Sequence, residues 1–259
     1  MGSGEYYAQQ GYEVLPAFFS QHDIAQLRQI VAPIYQQWLT GNQHMAGFDQ
    51  LVNMHSLTHP QYFKHQPELR LKFFNLLSPA KLVEFLKAQF GSAVYFHNTQ
   101  LFFNPKDKNR QNYWHRDMQY SPISDSEQAR VHKELLSLHV RIPLLAETGI
   151  ELIPHSHQQW DSRLEHQVRF AKEGHQQHDD LPHSQLITLQ PGDALIFNAQ
   201  MIHRGRYDLN RERLALDLCI GKLHPLIQGF MDKAVQPTVD ELARIKNKNW
   251  FVEAAKLFK

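Results

Sequence analysis

Cysteine is almost absent from this 259-residue chain. Cys219 stands alone, which excludes an intramolecular disulfide and suits a reducing, cytoplasmic setting. An excess of either charge is missing too. Lysine and arginine total 27 against 26 acidic residues, so no strong field gathers nucleic acid or an anionic membrane surface. No apolar run reaches the roughly 18 residues that a membrane span requires. The opening MGSGEYYAQQ lacks the basic patch and apolar segment of an export signal, and its first residues read as a cloning remnant. Internal repeats and low-complexity tracts are also lacking. What remains is a chain that is 42% hydrophobic, able to bury a sizeable core as one domain over 1–259. A small molecule is its expected partner, and nothing in the sequence sets an oligomeric state.

YEVLPAFFS reads as a short strand ending in a turn. Ser20 and Asp23 then form a capping box for a helix that places Ile24, Leu27, Val31, Ile34 and Trp38 on one face, with a kink expected at Pro33. A second helix spans Pro79 to Phe90, with Gly91 as its stop. Residues 41–70 carry mixed signals. From Ser92 to about Leu223 the pattern becomes short β-like runs separated by turns: VYFHNTQLFF, LSLHVRIPLL, IELIP, QLITL, ALIF and RLALDLCIG. That is the rhythm of a sandwich or jelly roll. Within LSLHVRIPLL, Leu138, Val140, Ile142 and Leu144 alternate against Ser137, His139 and Arg141. Two polar stretches, 121–135 and 155–184, are too long for tight hairpins, and the second is expected to act as a mobile cover. The fold class expected is mainly β with flanking helices: N-terminal helices over about 20–90, a β core over about 92–223, and a C-terminal helix over about 237–259.

The segment NYWHRDMQYS carries His115-Arg116-Asp117, which looks like part of a kinase catalytic loop. Pro122 stands where a kinase needs asparagine, and the Gly-rich loop and D-F-G are missing. As a metal motif the triplet fares better. On a strand, residues i and i+2 share a face, so His115 and Asp117 can reach one ion. His203, at the far end of the strand that follows Pro191-Gly192-Asp193, offers a third ligand. Two histidines and a carboxylate make the facial triad of non-haem Fe(II) oxygenases, with positions left for cosubstrate and O2; structural zinc favours a closed four-ligand set. Arg213 begins the next strand and falls with Ala215 and Asp217, opposite Leu214, Leu216, Leu218 and Ile220. There it can clamp a carboxylate at two points or be an ordinary strand-edge arginine at the surface.

Taken in order, these pieces resemble the phytanoyl-CoA dioxygenase family of Fe(II)/2-oxoglutarate oxygenases. GYEVLPAFFSQHDIAQLRQIV is similar to the family's N-terminal strand and helix, TQLFFNP to the strand before the metal motif, and WHRDMQY to the H-x-D segment. ETGIELIPHSH resembles the segment that usually ends I-P-G-S-H, and PGDALIFNAQMIH to RLALDL the distal histidine and arginine. The resemblance implies a double-stranded β-helix, a jelly-roll or cupin-like core. In it His115, Asp117 and His203 bind Fe(II) as the catalytic centre, and Arg213 pairs with the distal carboxylate of 2-oxoglutarate. It also places Gln100 at the cosubstrate pocket, although a strand glutamine can equally face solvent.

Two departures bear on cosubstrate contacts: Gly205 stands where the family frequently has Ser or Thr, and Asn104 where it often has Lys. Trp114 and Tyr120 flank the motif as substrate walls or as core aromatics. Arg204 and Arg206 either attract an anion or form a solvated turn. His155, His157, His166, His175, His178 and His183 lack zinc-type spacing and read as a polar loop. The implied activity is hydroxylation of an unactivated C–H bond in a small metabolite, with release of succinate and CO2. Asp117, where halogenating relatives carry a small residue, favours hydroxylation, and near-neutral charge argues against nucleic-acid demethylation. A jelly-roll protein that binds metal without turnover is the reading that Gly205 and Asn104 keep open.

Overall fold

The computed structural model describes residues 3–258. Met1 and Gly2, in the stretch read as a remnant, and Lys259, at the end of the expected C-terminal helix, lie outside the described residues. The alternating runs form strands Tyr12–Leu15 (β1), Asn53–His55 (β2), Val94–Phe103 (β3), Ser137–Pro143 (β4), Glu147–Leu152 (β5), Gln185–Leu189 (β6), Ala194–Asn198 (β7), His203–Gly205 (β8) and Leu214–Lys222 (β9). They assemble into two antiparallel sheets. The larger has the order β1-β7-β4-β9-β3-β2 and the smaller β6-β5-β8, as a jelly-roll core requires. Residues of both sheets, among them Leu195, Phe197, Ile150 and Leu152, bury a shared apolar cluster.

The helices are Ser3–Gln10 (α1), Gln21–Asn42 (α2), Pro67–Leu77 (α3), Ala80–Phe90 (α4), Asp125–Val131 (α5), Arg163–Arg169 (α6), Pro225–Gln228 (α7), Val239–Arg244 (α8) and Asn249–Lys256 (α9). They take 39% of the residues against 21% for strands, because the outer face of the larger sheet must be covered along its length. Leu138, Val140, Ile142, Leu216, Leu218 and Ile220 project there and are buried against α2, α3, α4 and α9. Phe251 of α9 packs edge-on to Phe74 of α3 and closes on Phe96 of β3. No helix among the described residues is long and apolar enough to cross a membrane.

The local signals are realised closely. Ser20 and Asp23 form the reciprocal capping box of α2, whose Ile24, Leu27, Val31 and Ile34 are buried while Trp38 packs half-buried on Phe103. The helix continues through Pro33 to Asn42. Pro79 caps α4 at its start, and Gly91, at φ +81°, ends it. The ambiguous 41–70 stretch supplies β2, an edge strand that sets His55 opposite Gln100. The expected C-terminal helix is instead two, α8 and α9, with Ile245 extended at the break.

The inner face of the larger sheet carries polar residues in register. Gln100, Asp217 and Arg141 are direct cross-strand partners on β3, β9 and β4, on the side opposite the leucine stripe. Leu218, fully buried between β9 and the helices, holds this register from behind. Leu218→Ala is expected to cost about 2–5 kcal/mol, read as a lower urea midpoint.

Candidate active site

His115 and Asp117 meet by a route other than the strand geometry expected of them. His115 makes a single bridge to His203, with reciprocal backbone hydrogen bonds of 3.0 and 2.9 Å, and Asp117 opens a 3-10 turn, Asp117–Tyr120. The Asp117 amide donates to the Ala199 carbonyl at 3.1 Å, which fixes the start of that turn. His203 likewise does not end the ALIF strand. β7 stops at Asn198, a turn through Ala199–Ile202 carries the chain into the smaller sheet, and His203 begins β8. The two imidazole centroids are 4.2 Å apart.

The donor set suits a divalent metal. The ligand atoms of His115, Asp117 and His203 all lie within 4.8 Å of one another. Nδ1 of His115 is 3.2 Å from the Tyr113 carbonyl, and Nδ1 of His203 is 3.0 Å from the Met201 carbonyl. A carbonyl only accepts, so each Nδ1 carries the proton and each Nε2 keeps its lone pair for a metal. Those Nε2 atoms are 3.7 and 3.3 Å from Asp117 Oδ1. Burial, reinforced by neighbouring His203, lowers the His115 pKa to about 3, so the ring is neutral.

The other Asp117 oxygen starts a buried chain of ion pairs. Oδ2 accepts from His139 Nε2 at 2.7 Å, and His139 Nδ1 donates to Asp217 at 2.9 Å. Asp217 accepts from Arg141 at 3.1 Å, and Arg141 makes two hydrogen bonds to Glu147, of 2.9 and 2.8 Å. Glu147 accepts from Arg213 Nε at 2.6 Å. His139, Asp217, Arg141, Glu147 and Arg213 are all buried. Burial opposes charge on His139, but the carboxylates on either side outweigh it and raise its pKa to about 10. Burial likewise opposes charge on Glu147, yet Arg141 and Arg213 hold it down at about 2. Asp117 is held well below the usual carboxylate range, against its burial, by His139 and His203. Negative and positive charges thus alternate from Asp117 to Arg213.

A cavity of about 400 Å³ joins the two ends and is lined by His115, Asp117, His203, Gln100, Tyr120 and Arg213. Arg213 is therefore no surface arginine. Its Nη1 and Nη2 make no hydrogen bond among the described residues, while Phe102 and Tyr207 flank the guanidinium at 5.6 and 5.7 Å. Gly205 makes room for it: a Cβ there would meet Arg213 Nη1 and the Tyr207 ring, each at 2.9 Å. Asn104 lies outside the cavity and donates to the Asn210 carbonyl at 2.8 Å. Gln100 faces inward and accepts from Asn53 Nδ2 at 3.3 Å.

Other candidates resolve differently. Trp114 is a core residue, fully buried with Ile153, Val168, Leu181 and Ile202, its indole N–H bonded to the Asp179 carbonyl. It is not a substrate wall. Tyr120 stands at the mouth, 62% exposed. Arg204 is neither solvated nor free, because it is buried over the Trp114 ring and paired with Glu151 and Asp180; Arg206 pairs with Asp208 and Glu151.

The 155–184 insertion is strapped down. Asp161 takes both Arg116 and Arg169 in buried ion pairs, and Arg116 also donates to the Ser156 and Gln159 carbonyls. A loose cover does not fit that anchoring. Its histidines form no second metal cluster among the described residues. The residues that sequence reasoning left without a role are His139, Arg141, Glu147 and Asp217. For His139, Arg141 and Asp217 the signal is alternation with apolar residues on strands buried on both faces, where polar side chains must find partners inside; Glu147 carries no such pattern.

Comparison with known proteins follows this geometry. The chain matches the family Phytanoyl-CoA dioxygenase (PhyH) over residues 7–210. It belongs to the phytanoyl-CoA dioxygenase family. No curated protein matches it in sequence. In fold it is similar to the non-heme alpha-ketoglutarate-dependent carbocyclase SnoK from nogalamycin biosynthesis, at 15% identity over 85% of this chain and 83% of that one, with TM-score 0.56. It is similar to EctD from S. alaskensis with 2-oxoglutarate and 5-hydroxyectoine, at 18% identity, 85% and 74% coverage and TM-score 0.56. A third likeness is to AviO1 from Streptomyces viridochromogenes, at 15% identity, 85% and 93% coverage and TM-score 0.57. As a phytanoyl-CoA dioxygenase family member, the protein is an Fe(II)/2-oxoglutarate-dependent oxygenase that uses Fe(II), 2-oxoglutarate and O2.

The ion-pair chain sets a pH dependence. His139, raised from 6.5 to about 10, contributes its full stabilisation below pH 6.5 and loses it as pH rises toward 10. Glu147, lowered from 4.5 to about 2, contributes above pH 4.5 and loses it as pH falls toward 2. Thermal midpoints of the metal-free protein are expected to decline from pH 6.5 to 10, and His139→Gln to flatten that alkaline decline while lowering the midpoint at pH 6.

Proposed function

We propose that this oxygenase hydroxylates an unactivated C–H bond of a small-molecule metabolite and releases succinate and CO2, with His115, Asp117 and His203 as iron ligands and Arg213 as the cosubstrate clamp. One observation carries the reading: two Nε2 lone pairs and a single Asp117 oxygen converge at one end of a cavity whose other end is an arginine with an unbonded fork. Bound Fe(II) with 2-oxoglutarate supplies O2 activation, oxidative decarboxylation of the 2-oxo acid accompanying transfer of an oxygen atom to substrate.

The chain's own residues supply the positioning. His139 occupies Asp117 Oδ2, so Oδ1 is the oxygen that would hold the metal. Glu147 holds Nε of Arg213, which orients Nη1 and Nη2 for a two-point pair with the distal carboxylate of 2-oxoglutarate. Gln100, steadied by Asn53, offers an amide to the same space. Asp117 itself favours hydroxylation over halogenation, since no ligand position is given up to a halide. In this reading residues 1–259 act as one domain in the cytoplasm, where Cys219 persists as a buried thiol, on a small molecule and not on nucleic acid or a membrane.

Succinate release and Fe(II) binding test the assignment. His203→Ala is expected to abolish turnover and weaken iron binding; normal metal affinity with normal turnover in that variant would refute the triad. Arg213→Ala is expected to weaken 2-oxoglutarate by roughly 2–5 kcal/mol, raising its KM by more than tenfold while iron binding changes little. An unchanged 2-oxoglutarate titration would remove the clamp.

A further inference from the structure

Asp117, Gln100, Tyr120 and His139 line a second cavity as well as the first. It measures about 300 Å³ and lies away from Arg213, with Met118, Leu135, Ile227 and Phe230 in its wall. Met118, Val131 and Leu135 form an apolar cluster against which Leu226 and Ile227 of α7 pack, so this wall is built by the 121–135 segment and α7 together.

The charge on this wall is already committed. No lysine, arginine or glutamate lines it among the described residues. Asp117 and His139 are ion-paired to each other, and His139 is paired again to Asp217. His97 is kept neutral chiefly by its burial. The buried guanidinium of Arg116, between His115 and Asp117 in sequence, is consumed by Asp161 and backbone carbonyls. A carboxylate, phosphate or coenzyme thioester seated here would find no lysine or arginine to pair with, and a charge taken out of water without a partner is costly.

Uncharged hydrogen-bonding capacity, by contrast, stands unused. Tyr95 and Gln200 are each 2% exposed, both line the cavity, and neither the phenol hydroxyl nor the side-chain amide has a hydrogen-bond partner among the described residues. Burial pushes the Tyr95 pKa up to about 12, which leaves the hydroxyl a neutral donor. Both groups open onto the cavity, where a ligand's neutral donors and acceptors can meet them.

We propose that this cavity is the substrate chamber and that it takes a compact, uncharged, largely apolar molecule bearing neutral hydrogen-bonding groups, held by Tyr95 and Gln200 beside the Asp117 wall. This rests on reading Asp117 as an iron ligand only for the word substrate; the ligand selectivity of the cavity stands by itself.

Saturation-transfer NMR on the full chain with two probes of equal shape, 2-naphthol and 2-naphthoate, tests it without turnover. Naphthoate binding that disappears in Arg213→Ala belongs to the first cavity and is subtracted. The expected result is 2-naphthol bound at least tenfold more tightly than the remaining naphthoate, and weakened at least fivefold in the Tyr95→Phe, Gln200→Leu double variant. Ile227→Arg, which adds a cation on a half-buried one-turn helix and spares the core, is expected to reverse the preference. Equal or tighter naphthoate binding in Arg213→Ala, or an unchanged preference in Ile227→Arg, would overturn the proposal. Neither probe needs iron, so the selectivity of the chamber is measurable even in a protein that fails to bind Fe(II) or 2-oxoglutarate.

Discussion

His139 between two carboxylates is the contact on which the site depends. A doubly bonded imidazolium fixes both Asp117 and Asp217, and Asp217 in turn fixes Arg141, Glu147 and Arg213. Six ionised groups taken singly out of water would each cost several kcal/mol. They are tolerable because every one, from His139 to Glu147, has an opposite charge on either side. The arrangement therefore behaves as a unit. A change at any link leaves a neighbour unpaired in a region of low dielectric, where the penalty exceeds the worth of the lost bond. The Asp117 end and the Arg213 end of the cavity are consequently tied together by one set of side chains.

Much of this was legible before the fold was known, and the reason differs from part to part. Strand limits such as Val94–Phe103 and helix limits such as Ala80–Phe90 are written in local chemistry: alternation, a proline just before the start, a glycine stop. That His115, Asp117, His203 and Arg213 would face one cavity was legible through residue type and order. The route by which they meet was not. A lone backbone bridge and a 3-10 turn have no periodicity, and the same two residues of separation serves a strand or a turn equally. Nor could the pairing of His139 with Asp117 be read, since partners 22 residues apart are set by tertiary register alone.

The misread residues share one cause. Trp114 and Arg204 adjoin the ligands in sequence, and adjacency suggested roles at the site. Alternation across a bridge sends neighbours to opposite sides, so they stack on each other behind the metal loop and carry the 155–184 insertion. The same logic explains why Arg116, between two ligands, points away into Asp161. Gly205 shows the reverse case. A departure that cast doubt on cosubstrate binding is an adjustment of space, since the arginine fork lies where a larger side chain would have stood.

The backbone bridge between His115 and His203 has one more consequence. Two of the three donors are coupled through main-chain hydrogen bonds, not through the ion they could share, so their mutual placement is settled when the sheets close. The rings are oriented in turn by Nδ1 hydrogen bonds to the Tyr113 and Met201 carbonyls. A metal held there would meet two imidazoles set by the main chain and a carboxylate already fixed by His139.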